Sequence, residues 1–152
     1  MIQYKKARPE DLPAVMEIRL ETLRDVFGLS PTGDSPFPAG LVEKTRAYYS
    51  GADQTTVLAL DGETTVGCGT MCYLEVLPTV DHPSGLRGHL MNVYTKPQYR
   101  RQGIARRILE LLIEEARERG VTEISLDATE EGRTLYERCG FSPSSECMVL
   151  NL

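Results

Sequence analysis

Hydrophobic residues recur at helical spacing in four stretches of the chain. The first begins at residues 8–11, where proline and acidic residues are typical of a helix start, and carries Leu12, Val15 and Ile18 at three- and four-residue spacing. The clearest pattern follows Gly103 and ends at Gly120, a typical C-terminal stop. Shorter helices are predicted over residues 41–50 and 131–139.

Strands are predicted where apolar residues alternate or run together. Residues 2–5 alternate, and residues 55–60 and 64–77 form a predicted hairpin around the turn pair Asp61-Gly62. Residues 90–95 are apolar enough for a central strand. Residues 124–128 and 146–152 are the last two predicted strands. Proline- and glycine-rich loops are expected at residues 30–40 and 78–88.

The order of these elements predicts a mixed α/β domain whose middle unit is strand, helix, strand. The chain has 152 residues, which is close to the usual size of one globular domain. We therefore expect one domain spanning residues 1–152.

Composition narrows the class of protein. Lys and Arg total 17 against 22 Asp and Glu, so the net charge is −5, which argues against a general nucleic-acid binder. No apolar run approaches the ~20 residues that a membrane helix needs, and residues 1–6 lack the apolar core of a signal peptide. A cytoplasmic protein that binds neither nucleic acid nor membrane is the expectation.

Cysteine and histidine give no metal-binding pattern. If Cys68 and Cys72 lie on one strand, their Cα atoms are about 13 Å apart, too far for a disulfide. The spacing of the four cysteines matches no zinc motif, and the two histidines, His82 and His89, are too few for a convincing site. We expect reduced thiols and no metal.

Residues 100–105, between a predicted strand and the strongest helix, favour an anionic ligand. A helix start presents unpaired N–H groups, and the small residues Gly103 and Ala105 allow a phosphate to approach the backbone. Five of the 17 basic residues fall within 12 positions that contain no acid: Lys96, Arg100, Arg101, Arg106 and Arg107. The spacing fits neither a P-loop nor a Rossmann fingerprint. The alternative is an ordinary helix start with solvated basic residues.

These residues resemble the GNAT superfamily of acyl-CoA-dependent N-acetyltransferases. Arg100, Gly103 and Ala105 match the family's Arg/Gln-x-x-Gly-x-Gly/Ala motif, and residues 92–100 resemble the strand and proline turn before it. Residues 129–141 resemble a second element, a helix that carries Tyr136 and closes with Gly-Phe. The resemblance implies a central mixed β-sheet of six to seven strands flanked by about four helices. One departure is Thr129, where many members carry Asn, although Thr also caps helices.

The resemblance also implies acetyl-CoA as co-substrate and assigns its contacts. Pantetheine is expected to bond to backbone groups of the strand, and the pyrophosphate to amides of the turn. The cofactor-binding residues so implied are Val93, Tyr94, Thr95, Arg100, Arg101, Gln102, Gly103, Ile104, Ala105, Arg106 and Thr129. The N–H near Val93 is expected to stabilise the oxyanion, a type of contact worth about 3 kcal/mol in other enzymes.

Tyr136 is the predicted catalytic residue, as the proton donor to the departing thiolate. A phenol with a pKa near 10 and a thiol near 8.5 make full proton transfer uphill by about 2 kcal/mol, so a hydrogen bond to the thiolate is the alternative role. An aliphatic amine is deprotonated at pH 7 in only about one molecule in 2,500. Glu75, His89 or a water relay is a candidate for the base, and the sequence does not choose among them.

The predicted function is therefore N-acetyl transfer from acetyl-CoA to a primary amine of a small molecule or a protein. A non-catalytic acyl-CoA-binding sensor or scaffold is the alternative, because intact cofactor motifs serve both. A structural domain with a vestigial site leaves the basic cluster unexplained. A homodimer is suggested by family analogy alone, and the sequence does not name the acceptor.

Overall fold

The computed structural model describes residues 1–30, 36–144 and 146–152. Its five strands are β1 (Ile2–Lys6), β2 (Gln54–Asp61), β3 (Thr64–Glu75), β4 (Leu86–Thr95) and β5 (Glu123–Leu126). Its α-helices are α1 (Leu12–Val26), α2 (Leu41–Gly51), α3 (Ile104–Glu118) and α4 (Glu130–Arg138). Short 3₁₀ turns, Pro9–Asp11 and Pro97–Tyr99, precede α1 and follow β4.

The strands form one mixed sheet in the order β1-β2-β3-β4-β5. Neighbours are antiparallel from β1 to β4, whereas β4 and β5 are parallel, as they must be when α3 carries the chain across between them. Within the part of the chain that the structure describes, the sheet has five strands and not the six to seven expected. The mixed α/β class and the four helices are confirmed.

One core fills the space between α3 and the sheet. Ile104, Ile108 and Leu112 of α3 are almost fully buried there. Two glycines on β3 permit this close approach, since a Cβ at Gly69 would lie 2.7 Å from Ile108 Cγ2. The apolar residues in the amphipathic pattern after Gly103 are therefore the ones on the face of α3 that packs on the sheet.

A second, smaller core lies on the opposite face of the sheet. There Val15 and Ile18 of α1 pack against Leu58, Cys68 and Tyr94. Helices thus cover both faces of the sheet next to β4, which is the layered arrangement expected for this class.

Four strand predictions are wrong in part or in whole. β3 ends at Glu75 and not at residue 77. β4 begins at Leu86, so residues 86–88 belong to a strand and not to the predicted loop, because they pair with β3 and, from Arg87, with β5. β5 ends at Leu126, before Ala128. Residues 146–152 form no strand, because no other segment that the structure describes pairs with them. Of the predicted loop 30–40, residues 31–35 lie outside the described residues.

The four cysteines form no disulfide. Burial raises the pKa of the Cys68 thiol to about 12, so this side chain packs as a small hydrophobic residue. Among residues 1–30, 36–144 and 146–152 no cluster of three or more metal-ligating side chains occurs. None of the described helices has the length and apolar character that crossing a membrane requires.

Candidate active site

A gap opens between β4 and β5 in the middle of β4. The parallel pairing of these strands ends at Leu90 and Leu126, while β4 continues to pair with β3 as far as Thr95. At the point of separation Asn92 has a φ of 58° and the β3–β4 register shifts, so β4 carries a bulge. Bulges bend strands, and beyond this one Tyr94 and Thr95 pair with β3 alone among the described strands.

The bulge is held by contacts from three elements. Arg19 Nη1 of α1 donates to Asn92 Oδ1 at 3.0 Å, and Asn92 Nδ2 lies 3.4 Å from the Tyr49 hydroxyl of α2. The Cys68 thiol of β3 donates to the Asn92 carbonyl oxygen at 3.2 Å. Because side chains on both helices fix this residue, the gap is a built feature of the fold. Sequence reasoning missed it, although Asn is the non-glycine residue that most often adopts positive φ.

The turn after β4 ends in an array of unpaired amides. Arg101 and Gly103 have φ values of 66° and 79°, and Gly103 is the N-cap of α3. In the described structure the N–H groups of Arg101, Gln102 and Gly103 have no acceptor, and those of Ile104, Ala105 and Arg106 begin α3 and have no helical partner. A Cβ built at Gly103 meets no atom within 4 Å, so the space in front of these amides is open.

The basic cluster is more neutralised than the sequence indicates. α1 supplies two acids that are far away in sequence: Glu21 lies 3.4 Å from Lys96, and Asp25 lies 3.0 Å from Arg100. Glu110 pairs with both Arg106 and Arg107. Within the described residues, Arg101 is the member of the cluster whose side chain makes no ion pair, which leaves it available for an anion.

Arg100 supports the turn through its side chain. Its Nε donates to the Thr95 carbonyl oxygen at 2.9 Å, and its guanidinium lies over the Tyr94 ring at 5.6 Å. Burial, together with the charges of Asp25 and Glu21, raises the pKa of Tyr94 to about 12, so its hydroxyl stays neutral. The Arg100 side chain therefore ties the turn to the end of β4 through the Thr95 carbonyl and the Tyr94 ring.

Three further residues of the strand and turn have buried or partly buried side chains: Val93, Thr95 and Ile104. Val93 and Ile104 pack into the core on the α3 side, so their backbone groups alone are left for a ligand. Thr95 is also buried, and its Oγ1 has no hydrogen-bond partner among the described residues. A buried hydroxyl without a partner is costly and marks a place where a polar ligand group fits.

Helix α4 carries Tyr136, whose side chain packs against the core that α3 shares with the sheet. Thr129 caps α4 by accepting a hydrogen bond from the Gly132 N–H at 3.2 Å, as expected for its hydroxyl. The Tyr136 ring packs edge-on against Phe141, with ring centroids 6.0 Å apart. Burial raises the pKa of the Tyr136 phenol, so it remains a proton donor throughout the neutral range.

The two candidate bases lie on opposite faces of the sheet. His89 lies one residue before Leu90, the last residue of β4 that pairs with β5. The Nδ1 atom of His89 lies 2.8 Å from Ser125 Oγ. Its Nε2 is 3.7 Å from Asp127 Oδ2. Glu75 pairs with Leu86 at the far end of β3, on the α3 side. Ser125 and Asp127, which orient His89, carry no sequence signal and were not anticipated.

Comparison with known proteins agrees with this geometry. The sequence model of the Acetyltransferase (GNAT) family matches residues 13–141. The uncharacterized N-acetyltransferase YsnE of Bacillus subtilis is 30% identical over 132 residues, which cover 84% of this chain and 78% of that protein. Glucosamine 6-phosphate N-acetyltransferase of Arabidopsis thaliana is 28% identical over 103 residues, 68% of this chain and 67% of that one.

A solved structure extends the similarity to almost every residue. A predicted acetyltransferase from Clostridium acetobutylicum, crystallised with acetyl-CoA, superposes with a TM-score of 0.84. The two chains are 28% identical, and the match covers 99% of this chain and 96% of the other.

Proposed function

The chain belongs to the GNAT family of acetyltransferases, and on this basis we propose that it transfers the acetyl group of acetyl-CoA to a primary amine. The observation that carries the proposal is the continuity of the gap with the amide array. Beyond Leu90, β4 has no described strand partner on its β5 side, and the turn that follows β4 carries the N–H groups of residues 101–106, which have no backbone acceptor in the described structure. An elongated ligand with a pyrophosphate at one end fits this arrangement.

Residues on both parts of the site fit acetyl-CoA. On the side of β4 that faces away from β3, the peptide groups of Val93, Tyr94 and Thr95 have no strand partner among the described residues. Pantetheine pairs there as an additional strand. The amides of residues 101–106 hold the pyrophosphate at the positive end of α3, together with Arg101, whose side chain has no ion-pair partner among the described residues. When bound, acetyl-CoA supplies the activated thioester carbonyl.

The Tyr136 hydroxyl serves the departing thiolate. Because burial raises the pKa of Tyr136 further above that of a thiol, complete proton transfer to the thiolate becomes more unfavourable. A hydrogen bond from the hydroxyl to the thiolate is therefore the favoured role of Tyr136. Support for this placement comes from packing, because the Tyr136 side chain lies against the core to which Ile104 and Ile108 of α3 belong.

His89 is the better candidate for the base that deprotonates the amine. It lies next to the opening of the gap, on the face opposite α3, and Ser125 fixes the orientation of its ring. Histidine is the side chain whose charge changes most readily between pH 5 and 8. Glu75 is displaced to the end of β3 and to the other face, so we assign it no role.

The experiment is a screen of amines with acetyl-CoA, read as release of free thiol. On the best amine, His89→Gln should lower kcat by about 10²- to 10⁴-fold at pH 7, and the loss should shrink toward pH 9 as more amine deprotonates by itself. Glu75→Gln is the matched control and should leave the profile unchanged. An equal loss in both variants contradicts the assignment of His89.

The same screen separates the two functional classes. Tight binding of acetyl-CoA without thiol release on any amine favours a non-catalytic acyl-CoA sensor. Failure of acetyl-CoA to bind overturns the proposal altogether.

A further inference from the structure

A row of hydrogen-bonded side chains, which we call the polar chain, crosses the sheet on the side of α1. It leads from Asn92 in the bulge through four residues: Tyr49 of α2, Thr70 of β3, and Thr56 and Gln54 of β2. The successive distances are 3.4, 3.3, 2.9 and 2.7 Å. Thr70 and Thr56 are only 1% and 2% exposed. Buried hydroxyls are costly unless they are paired, so the polar chain is a specific feature of this face.

The direction of each hydrogen bond follows from the number of protons available. Thr56 donates its single proton to Gln54 Oε1, so it accepts the proton of Thr70. Thr70 therefore accepts from the Tyr49 hydroxyl. The oxygen of Tyr49 in turn accepts from Asn92 Nδ2. All four bonds run the same way, and hydrogen bonds aligned like this polarise and strengthen one another.

The polar chain ends at the residue where the backbone is least comfortable. Asn92 lies two residues after Leu90, the last residue of β4 that pairs with β5, and its φ of 58° is disfavoured for an L-residue. Arg19 can only donate, so its contact of 3.0 Å identifies Asn92 Oδ1 and leaves Nδ2 toward Tyr49. Side-chain contacts from two helices therefore hold a conformation that the backbone alone does not favour.

We propose that Tyr49 is a positioning residue for the gap between β4 and β5, which it maintains by keeping Asn92 in the left-handed conformation. Thr70 and Thr56 anchor its hydroxyl. Burial raises the pKa of Tyr49, so the hydroxyl keeps its proton throughout the neutral range. Acetyl-CoA then meets a strand whose free side is already formed, and such preorganisation increases affinity. This benefit to acetyl-CoA rests on the proposed function, whereas the effect of Tyr49 on the bulge does not.

The first test is Tyr49→Phe, which removes the hydroxyl and keeps the ring. Without this contact a smaller fraction of the protein has the gap formed, and apparent affinity falls with that fraction. Loss of one net hydrogen bond corresponds to about tenfold, so the Kd and KM for acetyl-CoA should rise about tenfold. At saturating acetyl-CoA, kcat should stay within about twofold, because the bound ligand selects the open strand again.

Tyr73→Phe is the matched control. Tyr73 is buried in the main core on the opposite face of the sheet, and its hydroxyl lies 2.8 Å from Thr55 Oγ1. This variant loses the same group and should bind acetyl-CoA as the wild type does. Thr70→Val removes the anchor of Tyr49 and should raise Kd in the same direction as Tyr49→Phe. An unchanged Kd in Tyr49→Phe or Thr70→Val overturns the proposal, and so does an equal rise in Tyr73→Phe.

Hydrogen exchange tests the bulge without any ligand. In the free protein, the amides of residues 91–95 should exchange about tenfold faster in Tyr49→Phe than in the wild type, and at the wild-type rate in Tyr73→Phe. Equal exchange in Tyr49→Phe and the wild type overturns the proposal. If the wild-type chain does not bind acetyl-CoA, the proposed function fails, and the exchange rates alone then decide the role of Tyr49.

Discussion

Gly103 offers the sharpest test of the cofactor site, because another glycine of the same helix provides a matched control. Gly103 precedes α3 with a φ of 79°, and Gly120 follows α3 with a φ of 83°. A Cβ at either position meets no atom within 4 Å. Alanine at either position therefore costs the same backbone strain, about 1–2 kcal/mol, and clashes with nothing in the free protein. The ligand distinguishes the two.

The expected magnitudes follow from linkage. A hundredfold excess of acetyl-CoA over its dissociation constant stabilises the folded state by about 2.7 kcal/mol, which raises Tm by about 5–10 °C for a chain of this length. With the pyrophosphate at its proposed position, the methyl group of Gly103→Ala occupies the approach of the phosphate. Loss of one or two charged hydrogen bonds, each worth about 1.5–3 kcal/mol, weakens binding about a hundredfold, and the ligand then contributes only about 0.4 kcal/mol.

The assay is thermal unfolding of both variants with and without acetyl-CoA. Without ligand, both should melt about 2–8 °C below the wild type. With ligand, Gly120→Ala should recover the full increase in Tm and Gly103→Ala should recover about 1 °C. A full increase in Gly103→Ala, or an equal loss in both variants, refutes the placement of the pyrophosphate.

Three further predictions concern catalysis, packing and pH. Tyr136→Phe should lower kcat by about 10²- to 10⁴-fold if the hydroxyl is the general acid, and by about tenfold if it only hydrogen-bonds the thiolate. Either loss should be the same from pH 6 to 9, because the raised pKa of Tyr136 keeps its hydroxyl protonated. An unchanged kcat in steady-state kinetics would contradict both roles. Gly69→Ala should cost about 1–3 kcal/mol in chemical denaturation, because its methyl group would collide with Ile108, and a neutral result would contradict the tight α3 packing. Lys6 and Arg119 lower the pKa of Glu115, so this carboxylate stabilises the fold at neutral pH and the benefit disappears as pH falls through the lowered pKa. The Tm difference between wild type and Glu115→Gln should therefore be largest near pH 7, should shrink as pH falls below the ordinary glutamate pKa of about 4.3, and should vanish only below the lowered pKa of Glu115.

Local patterns predicted the elements that local physics determines. The apolar stripe between Gly103 and Gly120 gave α3 almost to the residue, and Asp61-Gly62 gave the β2–β3 hairpin, because periodicity and turn chemistry act within a few residues. The cap at Thr129 was predicted for the same reason.

Features that depend on distant contacts were not predictable. The bulge at Asn92 is held by Arg19 and Tyr49, which lie 73 and 43 residues earlier in the chain. The acids of α1 that neutralise part of the basic cluster are equally remote, so the cluster looked more cationic in the sequence than it is in the fold. The alternating pattern of residues 146–152 predicted a strand, and that prediction is wrong, because no described segment pairs with these residues and a pattern does not reveal whether a partner is present.

The amide array after β4 has a consequence for how the sequence can vary. Its donors are peptide N–H groups, which every amino acid except proline provides, so most substitutions between residues 101 and 106 leave the donors in place. Constraint falls instead on the few positions where backbone conformation depends on residue type, Asn92, Arg101 and Gly103, whose φ values are positive. The exposed side chains of Gln102 and Arg106 are free to diverge, whereas Ile104 is held by the core. Divergent sequences can therefore preserve this turn while changing its charge and its neighbours.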